Sequence, residues 1–276
     1  MPDDQESELD LLLHLTEIEC LNSGSVTGNA TGFFFLRDKY LFLITNRHVV
    51  VGTGAGQPDQ LRITLHESAD ELTKTTSYLI PIQRGVEKDW FEYTDGGDED
   101  PIDVVAIPLT DPTLVEKFEF RSFGPDDLLA DSDSLRLGSQ LLLLGFPLGF
   151  HDEVHHLPVA RTAFVATAYA VPFQRTPTFL TDGRMHRGAS GSPAIVKRPG
   201  QSGSVEYKVA GVHSAAYDMA SRDPSQDDRL ALNTVWRAYL IEKLTADASR
   251  KWAEGADVRT AAEPDSDSKP QPASAS

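Results

Sequence analysis

The sequence predicts an all-β protein, on three observations. Short apolar runs rich in β-formers recur from residue 31 onward: "TGFFFL", "YLFLITN", "LRITLH", "TSYLIPI", "DVVAIPL", "QLLLLGFP", "ARTAFVATAYAV", "SGSPAIVK" and "EYKVAGVHSAA". Clusters of Gly, Pro, Asp and Asn separate them and supply turns. No long helical pattern alternates with them, which favours a sandwich or barrel over a doubly wound parallel sheet.

Ahead of these runs, residues 7–19 place Leu11, Leu12, Leu15 and Ile18 near helical spacing among acidic residues. This predicts an N-terminal amphipathic helix, within an extension over residues 1–24. The strands then follow one another to residue 216. The "DGGDED" run at 95–100 interrupts them as a solvated loop, because its acids repel one another in any buried setting. Residues 231–252 set Val235, Tyr239, Leu240 and Leu244 near one stripe, which predicts a C-terminal helix. Beyond Trp252 there is little to bury, so residues 253–276 read as a disordered tail.

Composition narrows the class of function. The chain has 276 residues, 40% of them hydrophobic, enough for one large domain or two modest ones. Its formal net charge of −17 argues against nucleic acid or an anionic membrane surface as partner, since both repel it at long range. The longest apolar stretch, "LLLLGFPLGF" at 141–150, is far too short for a bilayer. Cys20 stands alone, so no intramolecular disulfide can form, as suits a reducing compartment. The N-terminus opens on acids where a secretory signal carries positive charge. The expectation is a soluble cytoplasmic protein with Cys20 as core filler.

Three segments carry reactive side chains at strand ends. "LFLITNRHVV" presents His48 just after a strand, and "DEDPIDVVAIPL" presents Asp103 just before one. "TDGRMHRGASGSPAI" sets Ser190 in a turn shaped by Gly188, Gly191 and Pro193, where backbone N–H groups can converge. Singly, each has an ordinary structural explanation. Jointly, the three have one natural use: a carboxylate orients an imidazole, the imidazole takes the serine proton, and backbone donors receive the oxyanion. Asp100 is the alternative carboxylate. An imidazole base must be neutral to act, so activity should fall on acidification. The G-x-S-x-G elbow of α/β-hydrolases fits poorly, because the fifth position is Ser192 and the order is His, Asp, Ser. "HDEVHH", with His151, Asp152, Glu153, His155 and His156, could offer zinc ligands, but its spacing is not H-E-x-x-H and it reads as a solvated loop.

These segments resemble those of the trypsin-like serine peptidases of the chymotrypsin fold, in the style of the bacterial high-temperature-requirement and glutamyl endopeptidase branches. "GFFF" with "LITNRHVV", "DVVAIPL", "GSQLLLLGFPLG", "TDGRMHRGASGSPAI" and "VAGVHSAA" match in order, over roughly residues 25–245. The resemblance implies two packed six-stranded antiparallel β-barrels, flanked here by the N- and C-terminal helices. The peptidase domain would span residues 25–252, with the barrel junction near 120–135. It implies a serine endopeptidase acting on proteins or peptides through an acyl-enzyme, with His48 as base, Asp103 as its orienter and Ser190 as nucleophile. The N–H groups of Gly188 and Ser190 would form the oxyanion hole. Arg184, Met185, His213, Ser214 and Ala215 would border the substrate side chain, with small apolar and acidic preferences both open and a basic one disfavoured. The implied chemistry requires no cofactor and no metal. Ala189 departs from the Asp or Asn often found before the serine. The alternative is a catalytically silent peptidase-like binding or regulatory module.

Overall fold

A computed structural model describes residues 8–52, 56–84, 87–93, 101–130, 135–200, 204–216 and 230–260. Its strands are β1 (Leu15–Asn22), β2 (Ser25–Arg37), β3 (Tyr40–Thr45), β4 (Gln60–His66), β5 (Thr75–Pro81), β6 (Gln83–Arg84), β7 (Glu87–Lys88) and β8 (Phe91–Glu92). They continue as β9 (Val105–Pro108), β10 (Gln140–Gly145), β11 (Val159–Val165), β12 (Thr178–Asp182), β13 (Pro193–Pro199), β14 (Val205–Ala216) and β15 (Leu232–Arg237).

The all-β class is observed, but the expected pair of six-stranded barrels is not. Among the described residues, only β10-β11-β12-β15-β14-β13 closes into a barrel. The first sheet has seven strands in the order β5-β4-β1-β2-β3-β9-β8 and stays open. Its edge strand β8 has two residues, too few to carry a ladder back to β5.

The helix expected over residues 7–19 is limited to residues 8–12, and β1 begins at Leu15. Leu11, Leu15 and Ile18 suit a helical stripe, but Thr16-Glu17-Ile18-Glu19-Cys20 also alternates with period two. Thr16, Ile18 and Cys20 are buried while Glu17 and Glu19 are not. Pairing with β2 and β4 on either side decides between the two periods. Residues 8–24 are therefore not a helical extension, since β1 lies inside the sheet. The C-terminal helix is likewise shorter at its start than expected. Residues 232–237 form β15, which pairs with β12 and β14 and closes the barrel, and the helix runs over Tyr239–Thr260. Helical structure thus extends into the segment expected as a tail; residues 261–276, like the 95–100 loop, lie outside the described residues.

Side-chain alternation builds three cores from the same strands. Phe34 and Leu43 enter the interior of the first sheet with Ile18, Leu61, Val105 and Ile107. Leu141, Leu143, Phe179 and Val235 fill the barrel. Phe33, Phe35 and Ile44 turn the other way and meet Leu144, Phe146, Ile195 and Val212 in a shared core between the two halves. Leu240, Ile241 and Leu244 of the C-terminal helix join that shared core, and Trp252 stacks on Tyr40. The chain crosses between the halves through isolated bridges at Phe123 to Phe35 and Leu128 to Val209. Cys20 is buried and donates to the Val49 carbonyl, and burial pushes its thiol up to about 11, as an inert core residue requires.

Candidate active site

The end of β3 delivers His48. After Thr45, the wholly buried Asn46 leads into a one-turn helix, Arg47–Val51, whose Val49 and Val50 anchor in the first core. The Asn46 Nδ2 donates to the Asp103 carbonyl at 2.7 Å and so ties the segment before β9 to the end of β3. Asp103 then holds His48 twice. Its Oδ1 accepts the His48 backbone N–H at 2.8 Å, and its Oδ2 lies 2.8 Å from His48 Nδ1. Ser214 Oγ donates to the same Oδ2 at 2.6 Å. With three donors on one carboxylate, the imidazole is held through Nδ1, and Nε2 is its remaining nitrogen.

Ser190 sits in a turn braced by both halves. Thr31 of β2 gives its backbone N–H to the Ser190 carbonyl at 2.8 Å and its hydroxyl to the Gly188 carbonyl at 2.9 Å. Gly191 N–H donates to the His213 carbonyl, and Leu148 N–H donates to the Arg187 carbonyl at 2.6 Å. Two positions in this turn require glycine. Gly188 has φ +89°, and a Cβ there would lie 2.5 Å from the Phe146 carbonyl oxygen. Gly191 also has φ +89°, with a Cβ placed 2.0 Å from the Thr31 carbonyl oxygen. Among the described residues, the backbone N–H groups of Gly188 and Ser190 have no acceptor. Because the Arg187 carbonyl is turned onto Leu148, the trans peptide aims the Gly188 N–H the opposite way. Ser190 Oγ itself donates to the Ser214 carbonyl at 3.0 Å. His48, Gly188 and Ser190 all line one cleft of about 680 Å³ between the halves, with Asn29 and Val49.

The remaining expected residues separate. Arg184 is exposed, and Met185 packs on the barrel core. His213 is 1% exposed, with Nδ1 lacking a hydrogen-bond partner. Ser214 is buried and serves both Asp103 and Ser190 rather than standing open, while the side chain of Ala215 and the whole of Asp100 lie outside the described residues. Two contributors were missed in the sequence: Asn46 and Thr31. A buried Asn directly before "RH" could have signalled the first; Thr31 lies far from the serine in sequence and carries no local signal.

Burial, with His48 nearby, lowers the pKa of His213 to about 4 from its ordinary 6.5. In the unfolded chain this imidazole takes up a proton as the pH drops through about 6.5, whereas the folded one resists until about 4. Its contribution to stability is therefore complete above pH 6.5 and is lost as the pH falls toward 4. Chemical unfolding at about pH 7.5 and about pH 4.5 should show a wild-type loss that is roughly 2–3 kcal/mol larger than in His213→Leu. Equal losses in the two proteins would exclude His213 as the source.

The fold and its cleft define a protein of two β lobes with a serine, an imidazole and a carboxylate at their junction. A family model for the trypsin-like peptidase domain matches residues 30–204, and the chain belongs to that family. Membership places it among peptidase-type proteins, for which proteins or peptides are the general class of substrate. No curated protein matches the chain by sequence. Among solved structures, the serine endoprotease from Yersinia pestis is 12% identical with a TM-score of 0.51, over 90% of this chain and 66% of that one. The chain thus spans about two thirds of that protein's length. The Rv3671c protease of M. tuberculosis aligns in its inactive form at 16% identity and a TM-score of 0.49, covering 90% of this chain and 95% of that one. Its active form aligns at 17% and 0.48, covering 85% and 80%. Among the described residues no helix is long and apolar enough to cross a membrane.

Proposed function

We propose that this protein is a serine endopeptidase in which Ser190 attacks the peptide carbonyl, His48 acts as base and then acid, and Asp103 orients the imidazole. The double grip of Asp103 on His48, through backbone N–H and Nδ1, is the observation that carries the reading. With Nδ1–H directed at Asp103, His48 Nε2 is the nitrogen that takes the Ser190 proton as Oγ bonds to the carbonyl carbon. The negative charge passes to the carbonyl oxygen, for which the unpaired N–H groups of Gly188 and Ser190 are suitable donors. Collapse breaks the C–N bond, the amine leaves with the proton from Nε2, and water repeats the sequence to release the acid. Each atom in this account belongs to the chain, the substrate or water.

A second reading, a silent peptidase-like module, has one observation in its favour: the Ser190 hydroxyl donates to the Ser214 carbonyl and not to His48. Catalytic hydrogen bonds often form only with substrate in place, so this contact is compatible with the first reading as well. A fluorophosphonate, which bonds only to an activated serine, separates the readings. One equivalent should attach, and peptide mass mapping should locate it on Ser190. A folded protein that takes up none would support the silent module.

A further inference from the structure

The "HDEVHH" loop is not the uniformly solvated segment that its polarity suggests. His155 and Asp152 do pair on its outer side, with side chains 45% and 46% exposed. His151 and His156 fold inward against Glu17, their side chains 18% and 17% exposed and that of Glu17 12%. Phe146 flanks both rings and supplies the apolar wall that draws them in.

We propose that Glu17, His151 and His156 bind a divalent transition ion of the zinc class, joining β1 of the open sheet to the loop after β10 of the barrel. One donor atom from each residue lies within 4.8 Å of the others. Glu17 Oε2 is 3.8 Å from His151 Nδ1 and 3.7 Å from His156 Nε2, and the two ring centroids are 4.2 Å apart. At these separations neither histidine makes a normal hydrogen bond to the carboxylate. Donors around a tetrahedral zinc, with bonds near 2.0–2.1 Å, sit about 3.3 Å from one another. Glu17 Oε2 is therefore within about half an ångström of ligand spacing from each histidine nitrogen, and a fourth position is left for water.

The chemistry of the set agrees with the geometry. His156 Nε2 is buried and without a hydrogen-bond partner, so this nitrogen has a place in the fold and no bond to show for it. Burial lowers the pKa of His156 to about 4, leaving it neutral as a ligand must be. Burial also holds the Glu17 carboxyl above its usual range. Two imidazole nitrogens and a carboxylate favour zinc over calcium or magnesium, which prefer oxygen donors.

Supporting contacts are already in place. Asn29 hydrogen-bonds Glu17, and His66 Nε2 lies 2.7 Å from the His155 carbonyl, anchoring the loop to β4; the Gly149 carbonyl lies 2.7 Å from His151 Nδ1, a contact that this nitrogen gives up on binding the ion. Two non-glycine residues of this loop, Leu148 and His156, have φ of +58° and +50°, a conformation that external bracing helps to maintain. None of the three ligands lines the cleft that holds Ser190 and His48. The ion is therefore a clasp between the two halves and no participant in hydrolysis.

Equilibrium dialysis of the full chain, stripped with chelator and returned to Zn²⁺, tests the site without reference to peptidase activity. One tightly held equivalent is expected, together with a rise in the unfolding temperature. Co²⁺ in its place should give the visible absorption of a tetrahedral centre. Glu17→Gln and His156→Gln should each weaken binding at least about 100-fold, the upper end of what loss of a mere supporting contact causes. His155→Ala, on the exposed side of the same loop, should bind as the wild type does. Absence of a bound equivalent, or one retained in Glu17→Gln and His156→Gln but lost in His155→Ala, would overturn the proposal.

Discussion

Ser190→Ala should remain folded and lose turnover on the order of 10⁶-fold, the scale seen when a serine nucleophile is deleted from such a constellation. Folding is spared because the serine is held by its backbone. Its carbonyl accepts from Thr31, and the neighbouring Gly188 and Gly191 set the turn. The side chain contributes one hydrogen bond, to the Ser214 carbonyl, whose loss costs about 1 kcal/mol. Activity is not spared, because a methyl group has neither the proton to give to His48 nor the lone pair to attack with. Peptide hydrolysis measured beside thermal unfolding checks both halves. Turnover within tenfold of wild type, with a matched unfolding curve, would remove Ser190 from the nucleophile's place.

Asp103→Asn should cost on the order of 10⁴ in turnover with only a modest loss of stability. Three donors converge on the Asp103 carboxylate: the His48 N–H, His48 Nδ1 and Ser214 Oγ. An amide offers one oxygen and an NH₂ in place of two oxygens. If its NH₂ faces Nδ1, that nitrogen must become an acceptor, the ring proton moves to Nε2, and the base is gone. If the oxygen faces Nδ1, the NH₂ opposes the His48 backbone N–H and displaces the short helix. Steady-state kinetics on Asp103→Asn and Asp100→Asn decide the assignment. A severe effect of Asp100→Asn with a mild one for Asp103→Asn would reverse the two carboxylates.

The residues of the candidate site stood out in the sequence because each lies where a local pattern breaks. His48 and Asp103 interrupt apolar runs at strand ends, and Ser190 is framed by glycines that only a tight turn uses. Ser214 was legible only as a residue near the substrate. Its contact with Asp103 depends on β14 lying beside the end of β3, which belongs to the other half of the molecule. Thr31 was silent for the same reason: its hydroxyl bridges Gly188 and Phe146, both more than a hundred residues away. "HDEVHH" was misread because hydropathy averages over a loop, whereas Phe146 and Glu17 sort its histidines by side.

By itself, the sequence determined what is encoded over a few neighbouring residues. That includes the β class, the turn chemistry at Gly188 and Gly191, the order of the reactive side chains, and the inert burial of a lone cysteine among apolar neighbours. Tertiary structure decided whatever depended on a partner strand. Residues 15–22 satisfy both a helical and an alternating period, and hydrogen bonds to β2 and β4 select the strand. Residues 232–237 are strand because β12 and β14 leave a gap that only a strand can close. The first sheet stays open because closure is a property of all its strands together, and the two-residue β8 cannot supply the last ladder. Backbone groups must be paired wherever they are buried, and which pairing is within reach depends on strands far away in the chain.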